Sequence, residues 1–183
     1  MTALIRTLAL VPEDVLVFAD EMRLGLHGQV RRRWYPRGVE LVQPLEISYV
    51  WRYLVLAVSP TGRLWWRWQT NSKKEGTAET LIGWREEGVG AVVWDNHPSH
   101  RARVVREVGV PLLRLPSYAP ELNPAERVFE ELRRAVEGWV YGTIERKVAA
   151  VDQLLQNLAA DPPRVRRLAG WEWIREAIAA AFV

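Results

Sequence analysis

Gly90-Ala91-Val92-Val93-Trp94-Asp95, a helix-like stretch from about Ser99 to Val108, then Val110-Pro111-Leu112-Leu113-Arg114-Leu115: this segment decides how the chain is read. Both flanking runs are short, apolar and free of polar alternation, which suits strands buried on two faces. Strands joined through a helix pair in parallel, because a tight turn joins only antiparallel neighbours. A third run of the same kind, Val15-Leu16-Val17-Phe18-Ala19, lies between Pro12-Glu13-Asp14 and Asp20-Glu21. The sequence between these runs has a different texture. Ile47 to Val58 is β-branched and aromatic, and Pro60-Thr61-Gly62 turns it into Leu64-Trp65-Trp66-Arg67-Trp68, a predicted antiparallel hairpin. Thr77 to Glu87 reads as a helix with Ala78, Leu81, Ile82 and Trp84 on one side. The sum is an α/β chain whose mixed sheet starts antiparallel and ends parallel, flanked by helices.

Pro116 to Pro120 reads as a stiff loop. Asn123-Pro124-Ala125-Glu126 then opens a helix with a side-chain cap, a first-turn proline and a glutamate three residues after the cap. Phe129, Leu132, Val136, Trp139 and Val140 form its predicted apolar stripe. From Thr143 onward the chain is mostly helical, broken at Asp161-Pro162-Pro163 and Gly170. No repeat or linker interrupts it. The sequence therefore predicts one domain over residues 1–183, with a core over about 12–142 and a helical C-terminal tail over about 143–183.

Composition narrows the chemistry. With 183 residues the chain can bury a core without staples, and with no cysteine it has neither disulfides nor thiolate metal sites. Any metal must sit on oxygen or on the three histidines. No apolar run reaches a membrane-spanning length and no leader-like segment opens the chain, so a cytoplasmic protein without a membrane partner is expected. Of the 25 basic residues only Lys73, Lys74 and Lys147 are lysines, leaving 22 arginines beside ten tryptophans. Arginine forks onto phosphate and indole stacks on bases, so the composition permits a nucleic-acid partner. A GC-rich codon bias enriches the same residues, and composition alone does not demonstrate one.

Three acids stand where chemistry can be built. Asp20 and Asp95 sit at predicted carboxyl ends of buried strands, where open α/β sheets place ligands, and Glu126 sits at the start of a helix. Converging carboxylates repel one another unless a divalent cation lies between them. An all-oxygen site suits magnesium or manganese, and two such ions can clamp the attacking and leaving oxygens of a phosphodiester. Each acid also has a plainer reading. Asp20 can end a strand, Asp95-Asn96-His97-Pro98 can be an Asx turn, and Glu126 can close a capping box. Glu21 is an alternative ligand, but neighbours in a strand point to opposite faces. His100, close to Asp95, can orient a water or touch a phosphate, or simply cap the helix that follows.

Taken together the acids fall in three blocks. Val17-Phe18-Ala19-Asp20-Glu21, with Arg33-Trp34 closing at Arg37-Gly38, resembles the first catalytic block of the mariner-type transposases, in the branch of the bacterial insertion-sequence-630 elements. Val92-Val93-Trp94-Asp95-Asn96-His97-Pro98-Ser99-His100 resembles the second block. Leu115-Pro116-Ser117-Tyr118-Ala119-Pro120-Glu121-Leu122-Asn123-Pro124-Ala125-Glu126 resembles the third and is the most specific. The resemblance implies a ribonuclease-H-like fold, with Asp20, Asp95 and Glu126 as the catalytic, metal-binding triad for two Mg2+ or Mn2+ ions. It also implies DNA cleavage at element ends by activated water, and transfer of the released 3′ hydroxyl into target DNA, typically at TA. A nucleoid-associated homodimer is the expected working form. Arg31, Arg33, Arg37 and His100 are the candidate DNA contacts, while Trp34 can equally serve packing. The chain departs from the family in a short interval between Asp95 and Glu126. It also has no room ahead of Asp20 for the paired helix-turn-helix domains, which leaves three expectations open: the second half of a split or frameshifted reading frame working with a separately encoded helix-turn-helix DNA-binding subunit, an excised catalytic domain, or a remnant. Two alternatives stay open: a ribonuclease-H-like nuclease of other substrate, and a catalytically silent fragment that binds DNA or represses a full-length transposase.

Overall fold

The computed structural model describes residues 16–28, 34, 36–40 and 42–179. In chain order its elements are β1 (Leu16–Gly25), β2 (Trp51–Val58), β3 (Leu64–Gln69), α1 (Lys74–Glu86), β4 (Ala91–Trp94), α2 (Arg103–Arg106) and β5 (Leu112–Arg114). The helices α3 (Ala125–Val136), α4 (Ile144–Ala159), α5 (Pro162–Ala169) and α6 (Glu172–Ala179) follow. The five strands form one sheet in the order β3-β2-β1-β4-β5. β1 pairs antiparallel with β2 and parallel with β4, and β4 pairs parallel with β5. The predicted hairpin is present, with Leu56 opposite Trp66. Gly62 makes its turn possible: its φ is +101, and an added Cβ would lie 2.5 Å from the Pro162 carbonyl oxygen.

Period-two alternation sorts the sheet into two cores. Leu16, Phe18, Met22 and Leu24 of β1 face α3, α4 and α5 through Phe129, Leu132, Leu155 and Val165. Val17 and Ala19 face the other way, onto Leu81 and Trp84 of α1 and onto Trp94. Asp20 is the one polar residue in the first series, and Glu21 continues the second.

Several predicted boundaries move, each for a physical reason. β1 does not stop at Ala19 but runs to Gly25, because β2 stays paired with it from Phe18–Val58 to Gly25–Trp51. Its parallel partner is shorter: β1 and β4 stay together only from Leu16–Ala91 to Phe18–Val93. Asp20 thus lies within a strand, not at its end, immediately past the point where β4 leaves. The predicted helix from Ser99 to Val108 is split, since Ala102 is extended (φ −60, ψ 148) between a 3-10 turn at Pro98–Arg101 and α2. Trp139 and Val140 do not belong to the α3 stripe. The helix ends at Val136, Glu137 is extended, and Gly138 takes a positive φ of 85, which leaves both side chains exposed.

Candidate active site

The divergence of β1 from β4 opens a crevice, and the third block of sequence folds across it. Leu115 keeps the chain on the sheet by donating its N–H to the Trp94 carbonyl at 2.9 Å. Asn96 fixes the turn after β4 by donating from Nδ2 to the Leu115 carbonyl at 2.8 Å. The result is a cleft of about 610 Å³ whose lining includes Asp20, Asp95, Glu126, Asn123, Arg101 and Tyr118. Three acids far apart in sequence therefore share one cavity.

Asp20 is half-buried on the α3 side of β1. Its Oδ1 accepts the Glu21 N–H at 2.8 Å, and its Oδ2 accepts Asn123 Nδ2 at 3.3 Å. Burial, joined by the negative charges of Glu126, Glu21 and Asp95, outweighs the Glu21 amide and pushes its carboxyl up to about 7. Asp95 is more exposed and lies in an Asx turn, its Oδ1 accepting the His97 N–H at 2.9 Å. His100 Nδ1 stands 2.8 Å from the same Oδ1, with the N–H aimed off the line to the oxygen, and this contact holds the Asp95 carboxyl below the usual range. Glu126 does not close a capping box. The Asn123 N–H goes to the Pro120 carbonyl at 2.9 Å, and the Glu126 carboxylate faces Arg133 Nη1 at 3.6 Å.

Asn123, expected as a helix cap, does more than cap. Only 2% exposed, it donates from Nδ2 to both the Ala19 carbonyl (3.0 Å) and Asp20, while its Oδ1 accepts the Ala125 N–H at 3.1 Å. One amide thus ties the start of α3 to the middle of β1. The sequence signal for this is the asparagine three residues before Glu126, which reads as a cap until the strand it faces is known.

His100 is placed differently from its expected role as a DNA contact. It is 4% exposed, stacks on Trp94 at 4.1 Å, and sets Nε2 2.9 Å from Glu21 Oε1. Burial alone would push the imidazole down, but its contacts with Asp95 and Glu21 prevail and raise it to about 9. Buried, with Nε2 on Glu21 and Nδ1 against Asp95, it backs Asp95 from behind and is closed to a phosphate. Glu21, weighed from sequence as a metal ligand, points to this second face, where Trp94 Nε1 also donates to it at 3.2 Å. Arg37 is exposed within the Pro36–Val39 turn and does not line the cleft, whereas Arg31 and Arg33 lie outside the described residues. Arg101, not singled out from the sequence, does line it.

Among the described residues no three histidine or acidic side chains are already gathered as a metal cage. Asp95 is turned toward His100 and Glu126 toward Arg133, so each has its own cationic partner. Among the described residues Asp20 has none, only neutral donors, and its raised pKa marks a site short of positive charge. The donor set is all oxygen and fits a hard divalent cation.

Against protein families the chain matches the DDE superfamily endonuclease model over residues 15–141. The chain belongs to the DDE superfamily endonucleases. Among solved structures this DDE endonuclease is similar to the Mos1 strand transfer complex, with a TM-score of 0.68 and 17% identity over 92% of this chain and 55% of that one. It is similar also to the Mos1 mariner paired end complex with Mn (TM-score 0.65, 14% identity, 98% of this chain and 60% of that one). The catalytic domain of Mos1 mariner transposase matches with a TM-score of 0.55 and 14% identity over 91% of this chain and 82% of that one. The DDE endonuclease thus spans a little over half the length of the first of these chains. No curated protein sequence matches it. At such identities the likeness carries the fold, and the fold is the ribonuclease-H-like mixed sheet predicted from the sequence. Among the described residues no helix is long and apolar enough to cross a membrane.

Proposed function

We propose that this chain is the catalytic part of a mariner-type transposase of the insertion-sequence-630 branch, cutting DNA phosphodiesters at element ends and joining the freed 3′ hydroxyl to target DNA. The observation that carries the proposal is the common cleft of Asp20, Asp95 and Glu126, with Asp20 lacking a cationic partner among the described residues. Support comes from the family match and from the likeness to transposase–DNA complexes, one of them containing Mn.

In this reading Asp20, Asp95 and Glu126 hold two Mg2+ or Mn2+ ions. Bound there, the ions supply the Lewis acidity that activates water and neutralises charge on the phosphodiester. The chain's own residues do the positioning. Asn123 fixes the Asp20 carboxylate relative to the first turn of α3, and His100 holds Asp95 through its imidazolium. Arg101, on the cleft wall, offers a guanidinium to the phosphate, and the exposed Arg37, with Arg31 and Arg33, contacts the backbone further out. End recognition needs an element placed in a groove of the DNA, which a helix-turn-helix subunit would supply. The working form is a homodimer in the bacterial cytoplasm, on the nucleoid.

The test is cleavage of a duplex carrying the element's inverted repeat, with Mg2+, with Mn2+ and with EDTA. Metal-dependent nicking that Asp95→Asn abolishes, in a variant that melts as the parent does, is expected. Preference for an RNA–DNA hybrid, or cleavage that persists in Asp95→Asn, overturns the reading.

A further inference from the structure

A second cavity lies apart from the acid cleft, a groove of about 350 Å³ where the far end of β1, the entry to β2 and the C-terminal end of α3 meet. Its rim carries flat rings: Tyr49 and Trp139 are each 72% exposed, and Trp51 lies beside them. Soluble chains rarely leave so many large rings together in water without a partner for them. Its charge is mostly positive. Arg23 packs its guanidinium over Trp51 at 5.1 Å, and Lys147 anchors its ammonium on the Gly25 carbonyl at 2.6 Å. Arg133 lines the groove as well, and Glu137 is the one acid in the wall.

The groove and the acid cleft are neighbours, bridged by one ion pair. Arg133 lines the groove, and its Nη1 lies 3.6 Å from Glu126 Oε2, which lines the cleft. A strand whose phosphate reached the acids would pass over Arg133 into the ring-lined groove.

We infer that this groove binds unpaired nucleotides of the DNA strand leaving the acid cleft, stacking bases on Tyr49 and Trp139 and drawing the backbone to Arg23. The inference rests on the proposed DNA chemistry of the cleft and adds a specific seat for single-stranded DNA. Rings beside guanidinium groups are the surface that single strands use, since every base offers a face while duplex bases are covered by their neighbours. The cations around the rings, Arg23, Arg133 and Lys147, favour a polyanionic strand over a peptide.

The probe is a labelled deoxythymidine oligonucleotide of about eight nucleotides, within the usual span of such sites, titrated into the full chain in EDTA. The expected result is about tenfold weaker binding for Trp139→Ala and for Tyr49→Ala, and a smaller loss for Arg23→Gln, with affinity for blunt duplex changed less than about twofold. Unchanged oligonucleotide binding in both ring variants overturns the inference. So does a shift in oligomeric state of Trp139→Ala without a binding change, which would make the rings a protein interface. The two readouts separate the claims: oligonucleotide binding in EDTA needs no nicking, so a parent that binds through its rings but shows no metal-dependent nicking sinks the cleft's function and leaves the groove standing.

Discussion

Asn123 Nδ2 stands 3.3 Å from Asp20 Oδ2, from a residue in the turn leading into α3 to one inside β1. The same nitrogen donates to the Ala19 carbonyl, and Oδ1 takes the Ala125 N–H. A buried primary amide is suited to this, because it offers donors to the strand and an acceptor to the helix at once.

Replacing that amide by a carboxylate keeps the acceptor and removes the donors. Asn123→Asp should destabilise the metal-free protein by about 1–3 kcal/mol at neutral pH, since the Ala19 carbonyl loses its donor and Asp20 gains a negative neighbour. Adding Mg2+ or lowering the pH to 5 should recover part of the loss. Thermal melts under the three conditions check this; an equal loss in all three would show that only packing had changed.

The Asp20 carboxyl carries a second expectation. Its folded pKa, about 7, lies above its ordinary 3.8, so between these values the native state binds more protons than the unfolded chain and stability falls as pH rises. Its favourable contribution is complete near pH 4 and gone above pH 7. In EDTA at pH 8, Asp20→Asn should therefore be more stable than the parent by about 2 kcal/mol, and the two should converge toward pH 4. Mg2+ should stabilise the parent and not the variant. Denaturant midpoints read both effects, and a variant less stable than the parent at pH 8 would contradict the raised pKa.

Much of this was legible before the fold was known, and the parts that were not have identifiable causes. Strict apolar runs at Leu16–Ala19 and Ala91–Trp94 declared strands buried on both sides, and those strands are central in the sheet. The polar residues after Ala19 argue for a strand end there; what keeps them in a strand is β2, a partner in another part of the chain. The helix from Ala125 was legible from its cap and stripe, but its end was not. Trp139 and Val140 continue the apolar spacing past a backbone that has already turned at Gly138. His100 was visible as a neighbour of Asp95, while its contact with Glu21 depends on which face of β1 that acid takes. Alternation did assign Asp20 and Glu21 to opposite faces, so the partner was predictable in principle once Asp20 was given to the cleft.

That second face supports a spectroscopic test. His100 is held up to about 9 by Asp95 and Glu21, against a burial that favours the neutral ring. Because its folded pKa lies above 6.5, the stabilisation it provides is complete below pH 6.5 and lost as pH rises through 9. In NMR titration of the metal-free chain, the His100 ring should remain an imidazolium at pH 7.5 with a midpoint near 9, and Glu21→Gln should lower that midpoint. A midpoint below 7 in the parent would mean that the two acids do not hold the proton there.

Trp84 and Trp94, in the same core, differ in what their ring nitrogens do, and this yields an ordering of costs. Trp84 and Trp94 are both fully buried and lie 6.0 Å apart. Trp94 Nε1 donates to Glu21 at 3.2 Å, whereas buried Trp84 Nε1 has no partner among the described residues. Substitution by phenylalanine removes similar volume at both sites, so the packing loss is comparable. At Trp84 it also removes a desolvated N–H that gains nothing from folding. At Trp94 it strips a donor from Glu21, at a cost of about 1–3 kcal/mol for an ionised acceptor. Trp94→Phe should therefore destabilise the protein by at least about 1 kcal/mol more than Trp84→Phe in urea denaturation at pH 7. Equal losses would place an unrecognised acceptor beside Trp84 or show the Trp94 bond to be worth nothing.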